Sequence, residues 1–307
     1  MEKTNNTFPP IALFAYNRPD HTERAITSIL ENKLSYKCDI HIYSDGPKNI
    51  GNKNEVQKVR HIIEKYKKHI NYSMYYRKSN IGLANSIIGG VNNLVKKYGT
   101  VVVIEDDLEL SPYFIKYMHE ALQKYRNRSE VVQISGFAFD TKVETDYDAI
   151  FLPFTTSWGW GTWERAWNQF DCEMKYLIDI EKSPELKRKF NINNNYDYYT
   201  MAVKTKLEKF DSWAIKWYLS TFRNYGLTLY PKKSLVKNHG FDGTGTHCGI
   251  KTNDSTVYDK TFQVINFPEI VTEYPNKDEI FKCLKNHNSN SGFKLYDAIF
   301  RKIKKFF

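Results

Sequence analysis

The segment VVVIEDDLEL (101–110) drives a run of β-branched apolar residues straight into three consecutive carboxylates, Glu105, Asp106 and Asp107. The apolar part reads as a strand buried on both faces. Ionised carboxylates repel one another and are costly to bury unless they are paired or bound to metal. The strand therefore either ends in solvent or meets a cation. Two other strand-like segments also end in polar groups: the apolar IALFAYNRP (11–19) at Asn17-Arg18, and the alternating DIHIYSDGPK (39–48) at Asp45-Gly46. A glycine-rich polar stretch late in the chain, NHGFDGTGTHCG (238–249), holds His239, Asp242 and His247. TSWGWGTWERAW (156–167) sets four tryptophans and two glycines within twelve residues. Trp163 and Trp167, four apart, suit the start of a core helix, but Trp158-Gly159-Trp160-Gly161 does not suit a helix interior. A glycine-flanked aromatic loop would form a floor or wall for a sugar ring, whose C–H face stacks on indole. Trp158 and Trp160 are the candidate contacts there.

The elements that must position these groups follow from periodicity. A helix is expected over 20–32, with Asp20 or Thr22 as cap and Ala25, Ile26, Ile29 and Leu30 on one face. Val56, Val59, Ile62, Ile63 and Tyr66 mark a second helix over 54–70, and residues 71–79 a third strand. Residues 81–99 read as a helix with an inserted glycine pair, and 112–126 as a helix with Pro112 near its first turn. Strand and helix thus alternate four times over 1–126. That pattern predicts a mostly parallel, Rossmann-like α/β sheet with helices on both faces. Ligands of such sheets sit at the carboxyl ends of the strands, so the three polar strand ends would share one crevice. Residues 131–139 read as another strand and 191–199 as a loop. Residues 210–226 read as a helix capped near Asp211 or Ser212, and 227–249 as two strands followed by the polar loop.

Length and composition suit one large α/β domain or two small ones: 307 residues, 41% hydrophobic and 15% aromatic. The net charge of +10 favours an anionic partner or reflects a lysine-rich solvated surface. Cys38, Cys172, Cys248 and Cys283 form no CxxC pair, which argues against a zinc knuckle and a dense disulfide framework. MEKTNNTFPP lacks an apolar signal-peptide core, and no stretch reaches the roughly 18 apolar residues of a membrane span. A reduced, cytoplasmic location is expected.

The motifs IALFAYNRPDH, IYSDGPK, NIGLANSI, VVVIEDDLELSPYFIKYM, SGFAFD, SWGWGTW and FDSW, in this order, resemble nucleotide-sugar glycosyltransferases of the GT-A fold. The likeness is greatest to N-acetylglucosaminyltransferase I and its bacterial relatives, a family 2-like group, and covers residues 9–250. It implies an inverting transfer that depends on Mn²⁺ or Mg²⁺, from a nucleotide-diphosphate sugar (a UDP-sugar) to a glycan or lipid-linked acceptor in bacterial surface polysaccharide synthesis. It makes Asp107 the direct metal ligand, with Asp106 near the donor ribose or sugar and Glu105 behind. Asp45 would meet the nucleobase or ribose, Arg18 the uridine or diphosphate, and Asn80 would flank the donor site. Asp211, two before Trp213, matches the catalytic base that the relatives place shortly before the Trp, although some have it immediately before, where this chain has Ser212; a helix cap is the other reading of Asp211. His247 matches a loop histidine that would bind metal or touch a phosphate, against a plain surface role. Residues 1–126 then form the donor-binding half, 127–250 the acceptor and catalytic half, and 251–307 a C-terminal extension.

The extension ends in GFKLYDAIFRKIKKFF (292–307), with Phe293, Tyr296, Phe300, Ile303 and Phe307 on one helical face and five cations around the rest. Such an amphipathic basic helix suits peripheral attachment to the anionic inner face of a membrane, or docking on its own domain. A nucleotidyltransferase on a similar sheet is the alternative enzyme, but AYNRPDH lacks its glycine-rich phosphate loop. A nucleic-acid-binding protein is disfavoured, because no helix-turn-helix, zinc-finger or RNP pattern is present.

Overall fold

A computed structural model of the chain describes residues 8–68, 72–242 and 258–290, the side chains of 285–290 excepted. His247 and the 292–307 stretch lie outside the described residues. In chain order the strands are β1 (Ile11–Ala15), β2 (Ile40–Ser44), β3 (Tyr72–Tyr76), β4 (Thr100–Glu105), β5 (Leu108–Leu110), β6 (Val131–Ser135), β7 (Ala149–Leu152), β8 (Trp160–Trp163), β9 (Leu227–Pro231) and β10 (Val236–Asn238). The main helices are α1 (Pro19–Glu31), α2 (Lys53–Lys65), α3 (Leu83–Tyr98) and α4 (Phe114–Lys124). Four short ones follow: α5 (Glu164–Trp167), α6 (Leu177–Lys182), α7 (Pro184–Phe190) and α8 (Tyr198–Lys206). The last two are α9 (Trp213–Arg223) and α10 (Lys277–Asn290).

Eight strands form one sheet in the order β3-β2-β1-β4-β8-β6-β9-β7. β3, β2, β1 and β4 are mutually parallel, as are β6 and β9, while β8 and β7 run antiparallel to their neighbours. The α/β sheet with mostly parallel strands is therefore present, with two reversed strands in its second part. Every residue of β1 and β2 is buried; β1 reads accordingly as an unbroken apolar run, whereas β2 alternates and buries His41 and Ser44. α1, α2 and α4 cover one face with Ile26, Val59 and Met118; α3, α5 and α9 cover the other with Val91, Trp167 and Trp217. Of the glycine pair in α3, Gly90 has a packing reason. A Cβ on Gly90 would stand 2.6 Å from the Phe14 ring of β1, so the helix lies closer to the sheet there than a larger residue permits.

β4 ends at Glu105, where the chain breaks from the sheet in a turn at Asp106-Asp107, and β5 leaves the main sheet to pair antiparallel with β10. The break lifts the two carboxylates out of the ladder at its carboxyl edge. The expectation of a loop through TSWGWGTW is corrected in part: Trp158-Gly159 lies in a bend, but Trp160–Trp163 is β8, inserted between β4 and β6 with Gly161 opposite Val102 and Ile134. Within the 251–307 stretch, Val264, Phe267, Tyr274, Ile280 and Phe281 are buried in the core, and Glu273 and Tyr258 bridge to Phe151 and Ser234.

Candidate active site

The parallel register of β1 and β4 places Phe14 opposite Glu105, so the chain leaving β1 runs beside the acidic turn leaving β4. The Tyr16 N–H donates to Asp106 Oδ2 at 3.3 Å. Pro19 starts α1 with its fixed φ, and no side chain caps the helix; Thr22 Oγ1 instead donates back to the Arg18 carbonyl at 2.9 Å. That turn directs Arg18 at the carboxylates. Its Nη2 donates to Asp106 Oδ1 and, at 3.1 Å, to Asp107 Oδ2. Its Nη1 is sealed from solvent without a hydrogen-bond partner among the described residues.

The electrostatics are those of a crowded anionic site. Burial pushes Glu105 well above the ordinary carboxylate range, the Asp107 and Asp106 charges push the same way, and Arg18 opposes them. Burial also raises Asp106 against the pull of Arg18. Burial would lower the Arg18 guanidinium, but the two carboxylates more than reverse this and hold it above its ordinary value.

The small ribbon closes the site on the other side. The His239 N–H donates to the Asp107 carbonyl at 2.8 Å, and the next residue is Gly240. A Cβ on Gly240 would lie 2.5 Å from Asp107 Oδ2. His239 Nε2 pairs with Glu109 Oε2 at 2.8 Å, and Lys260 Nζ reaches Glu109 Oε1 at 2.7 Å. His21 Nε2 lies 3.2 Å from both the His239 carbonyl and Asp242 Oδ2. Burial depresses His239 even though Glu109 favours its charged form. This network was not legible in the sequence, since only the long-range β5–β10 pairing brings Glu109 to His239. His239 and Asp242 stood out in the glycine-rich stretch, but nothing local pointed to Glu109, Lys260 or His21.

A second cluster lies at the end of β2. Asp45 is buried, and its carboxylate accepts N–H bonds from Gly46 (2.8 Å), Ile81 (3.1 and 3.2 Å) and Gly82 (3.1 Å). Asn80 donates from Nδ2 to the Gly46 carbonyl at 3.2 Å, and its Oδ1 accepts from the Gly82 N–H at 3.2 Å. Gly82, at φ 84°, adopts the left-handed backbone that glycine tolerates, and α3 begins just after it. Asp211 faces this turn: its Oδ2 would stand 3.6 Å from a Cβ on Gly82. Ser212, not Asp211, caps α9, accepting the Ile215 N–H on its Oγ at 3.3 Å. The Asp211 carboxylate is thus exposed and not engaged in capping.

The two tryptophans separate. Trp158 is half-buried, edge-on to Phe137 and Phe241. Trp160 is 0% exposed, stacked on Trp213 with ring centroids 5.1 Å apart, so it cannot offer a face to a sugar. The expectation for Trp160 is overturned because its strand lies in the middle of the sheet.

The mixed, mostly parallel sheet with carboxylates gathered at the carboxyl ends of β2 and β4 is consistent with the GT-A fold. Residues 11–209 match the family described as Glycosyl transferase family 2, and the chain belongs to that family. It is a glycosyltransferase that draws on a nucleotide sugar. Among solved structures it is similar to the crystal structure of 4-diphosphocytidyl-2C-methyl-D-erythritol synthase from Anaerococcus prevotii. That match has 13% identity and a TM-score of 0.34, covering 62% of this chain and 86% of that one. No curated protein matches the sequence.

Enzymes of this family typically use a divalent metal. Among the described residues no group of three or more His, Cys, Asp or Glu side chains forms a ready metal cage. The donor set fits a hard cation nonetheless. Mg²⁺-type sites usually take one or two protein carboxylates and fill the rest of the shell with water and substrate phosphate. Asp107 would supply one such carboxylate, while burial above all, with neighbouring carboxylate charge adding to it, raises Glu105 and Asp106.

Proposed function

We propose that the protein catalyses an inverting, divalent-metal-dependent transfer of a sugar from a UDP-type donor to a glycan or lipid-linked acceptor of a bacterial surface polysaccharide. The observation that carries this reading is the exposed Asp211 carboxylate beside the Asp45–Gly82 corner, on the same sheet edge as Asp107. Asp211 serves as the base. It takes the proton of the acceptor hydroxyl as that oxygen attacks the anomeric carbon from the face opposite the leaving diphosphate. Asp45 and Asn80 hold the turn before α3 in register, so that the donor nucleoside meets a preformed wall. Asp107, with Asp106 and Glu105 behind it, would hold the metal, which when bound neutralises charge on the departing diphosphate. His247 is a candidate for the same ion or for a phosphate. Trp158 offers a half-exposed aromatic edge to the acceptor.

No helix among the described residues is long and apolar enough to cross a membrane. The periodicity of 292–307 supports peripheral attachment to an anionic bilayer on the cytoplasmic side, where a lipid-linked acceptor would be met. A panel of nucleotide sugars assayed for Mn²⁺-stimulated hydrolysis, with Asp107→Ala as control, tests the core of the proposal. A single preferred donor and loss of metal-stimulated turnover in the variant are expected. Metal-independent hydrolysis unchanged in Asp107→Ala would refute it.

A further inference from the structure

The Arg18 guanidinium occupies the position where positive charge is most needed. One nitrogen, Nη2, spans both carboxylates of the acidic turn and takes up Asp107 Oδ2 at 3.1 Å. A Mg²⁺-type ion bound directly to Asp107 would sit at roughly 2.0–2.1 Å from a carboxylate oxygen, close to the guanidinium carried by the same carboxylate. Two cations at that separation repel, and the repulsion is little screened because Arg18 is only 18% exposed. The second terminal nitrogen, Nη1, is buried and has no protein acceptor among the described residues. Guanidinium pairs bidentately with phosphate as well as with carboxylate. A donor diphosphate would therefore give Arg18 a second anionic partner and satisfy the nitrogen now lacking one.

We infer that Arg18 is a resident counter-cation that holds Asp107 against metal until the donor diphosphate draws the guanidinium away, so that metal and nucleotide bind as a coupled pair. Arg18 is in this sense a positioning residue that sets the order of assembly, and the inference rests on the metal-dependent reading above. The coupling is reciprocal: UDP tightens Mn²⁺ binding by the same factor as Mn²⁺ tightens UDP binding.

The test is Mn²⁺ binding itself, counted as free ion by electron paramagnetic resonance with and without UDP. Wild-type protein is expected to bind Mn²⁺ weakly alone and at least about tenfold more tightly with UDP, the scale of a unit charge moved a few ångströms at a partly buried site. Arg18→Gln should bind Mn²⁺ alone about tenfold more tightly than wild type and should respond less to UDP. Arg18→Lys should fall between, keeping the charge but not the planar fork. Arg18→Gln leaves buried Asp106 unpaired and so threatens folding. The double variant Arg18→Gln/Asp106→Asn, compared with Asp106→Asn alone, removes that risk and should show the same gain in donor-free affinity. Suppose wild type shows UDP-linked Mn²⁺ binding that Asp107→Ala abolishes, yet losing Arg18 leaves donor-free affinity unchanged or weaker. Then the inference falls and the proposed function stands. A wild-type protein that binds no Mn²⁺ even with UDP overturns both.

Discussion

Replacing Gly240 with alanine adds one methyl group at the tightest contact of the acidic turn. The new Cβ would meet Asp107 Oδ2 at 2.5 Å and Asn238 Oδ1 at 3.0 Å, where ordinary contact begins near 3.4 Å. About 0.9 Å must be recovered, and neither neighbour yields cheaply. Asp107 is held by Arg18, and Asn238 Oδ1 accepts the Gly240 N–H at 2.7 Å. Either the carboxylate swings off its position, or the ribbon retreats and stretches the 2.8 Å bond from the His239 N–H to the Asp107 carbonyl. Overpacking of this kind costs roughly 1–3 kcal/mol, of which the hydrogen bond accounts for about 1. That lowers the melting temperature by a few degrees while the protein stays folded. Catalysis should suffer more, because a group misplaced by about 1 Å loses on the order of 10²-fold in rate. The assay is kcat/KM for donor turnover across a Mn²⁺ titration, beside a thermal melt. Wild-type turnover with wild-type metal dependence would show that Asp107 has no demanding position to keep.

Asp211→Asn should keep donor affinity and lose about 10²–10⁴ in transfer rate, read as product formation against UDP binding by calorimetry; near-normal transfer would remove Asp211 as the base. Glu105→Gln should raise the melting temperature at neutral pH, because a carboxyl whose pKa is raised on folding destabilises the fold when ionised; the gain should shrink in acid as wild-type Glu105 takes up a proton. His41 lies buried on β2 between the Tyr75 and Tyr98 hydroxyls, 3.1 Å from each, and burial, with the Lys97 charge, lowers its pKa to about 4 despite Asp39. The unfolded chain binds this proton near pH 6.5, so stability should fall from about pH 6.5 to about pH 4, by on the order of 3 kcal/mol in all. Urea midpoints against pH should be flatter over this window for His41→Gln than for wild type, and parallel curves would exclude His41 as the source.

The first half of the fold was legible because its signals are local. β1, α1, β2, α2, α3, β4 and α4 each carry their own apolar period, and the polar strand ends marked the edge where Arg18, Asp106 and Asp107 meet. What was not legible depends on partners far along the chain. Trp and Thr in Trp-Gly-Thr-Trp favour a strand, but Gly161 inside it and Gly159 just before it mask the signal; it becomes a central strand because β4 and β6 flank it and Gly161 leaves room for Leu122, 3.2 Å from where a Cβ would be. The β5–β10 ribbon joins residues more than a hundred apart, and Glu109, Lys260 and Gly240 enter the site only through it. At Asp211 the sequence left base and cap open. Ser212 takes the cap because its shorter side chain, one residue on, reaches the Ile215 N–H.

The place of β8 in the sheet also constrains how the chain can be made. β4, with its unbroken Val-Val-Val-Ile run, has β1 on one side and only β8 on the other. A nascent chain emerging from the ribosome completes β4 at Glu105 but does not deliver its second neighbour until Trp163 has been synthesised. Throughout that interval a strand with four consecutive β-branched apolar residues is an open edge, the kind of surface that recruits other chains. A fragment cut after residue 126 would keep this edge permanently. Residues 1–126 alone would therefore expose a strand edge that the four residues of β8 cover in the whole chain.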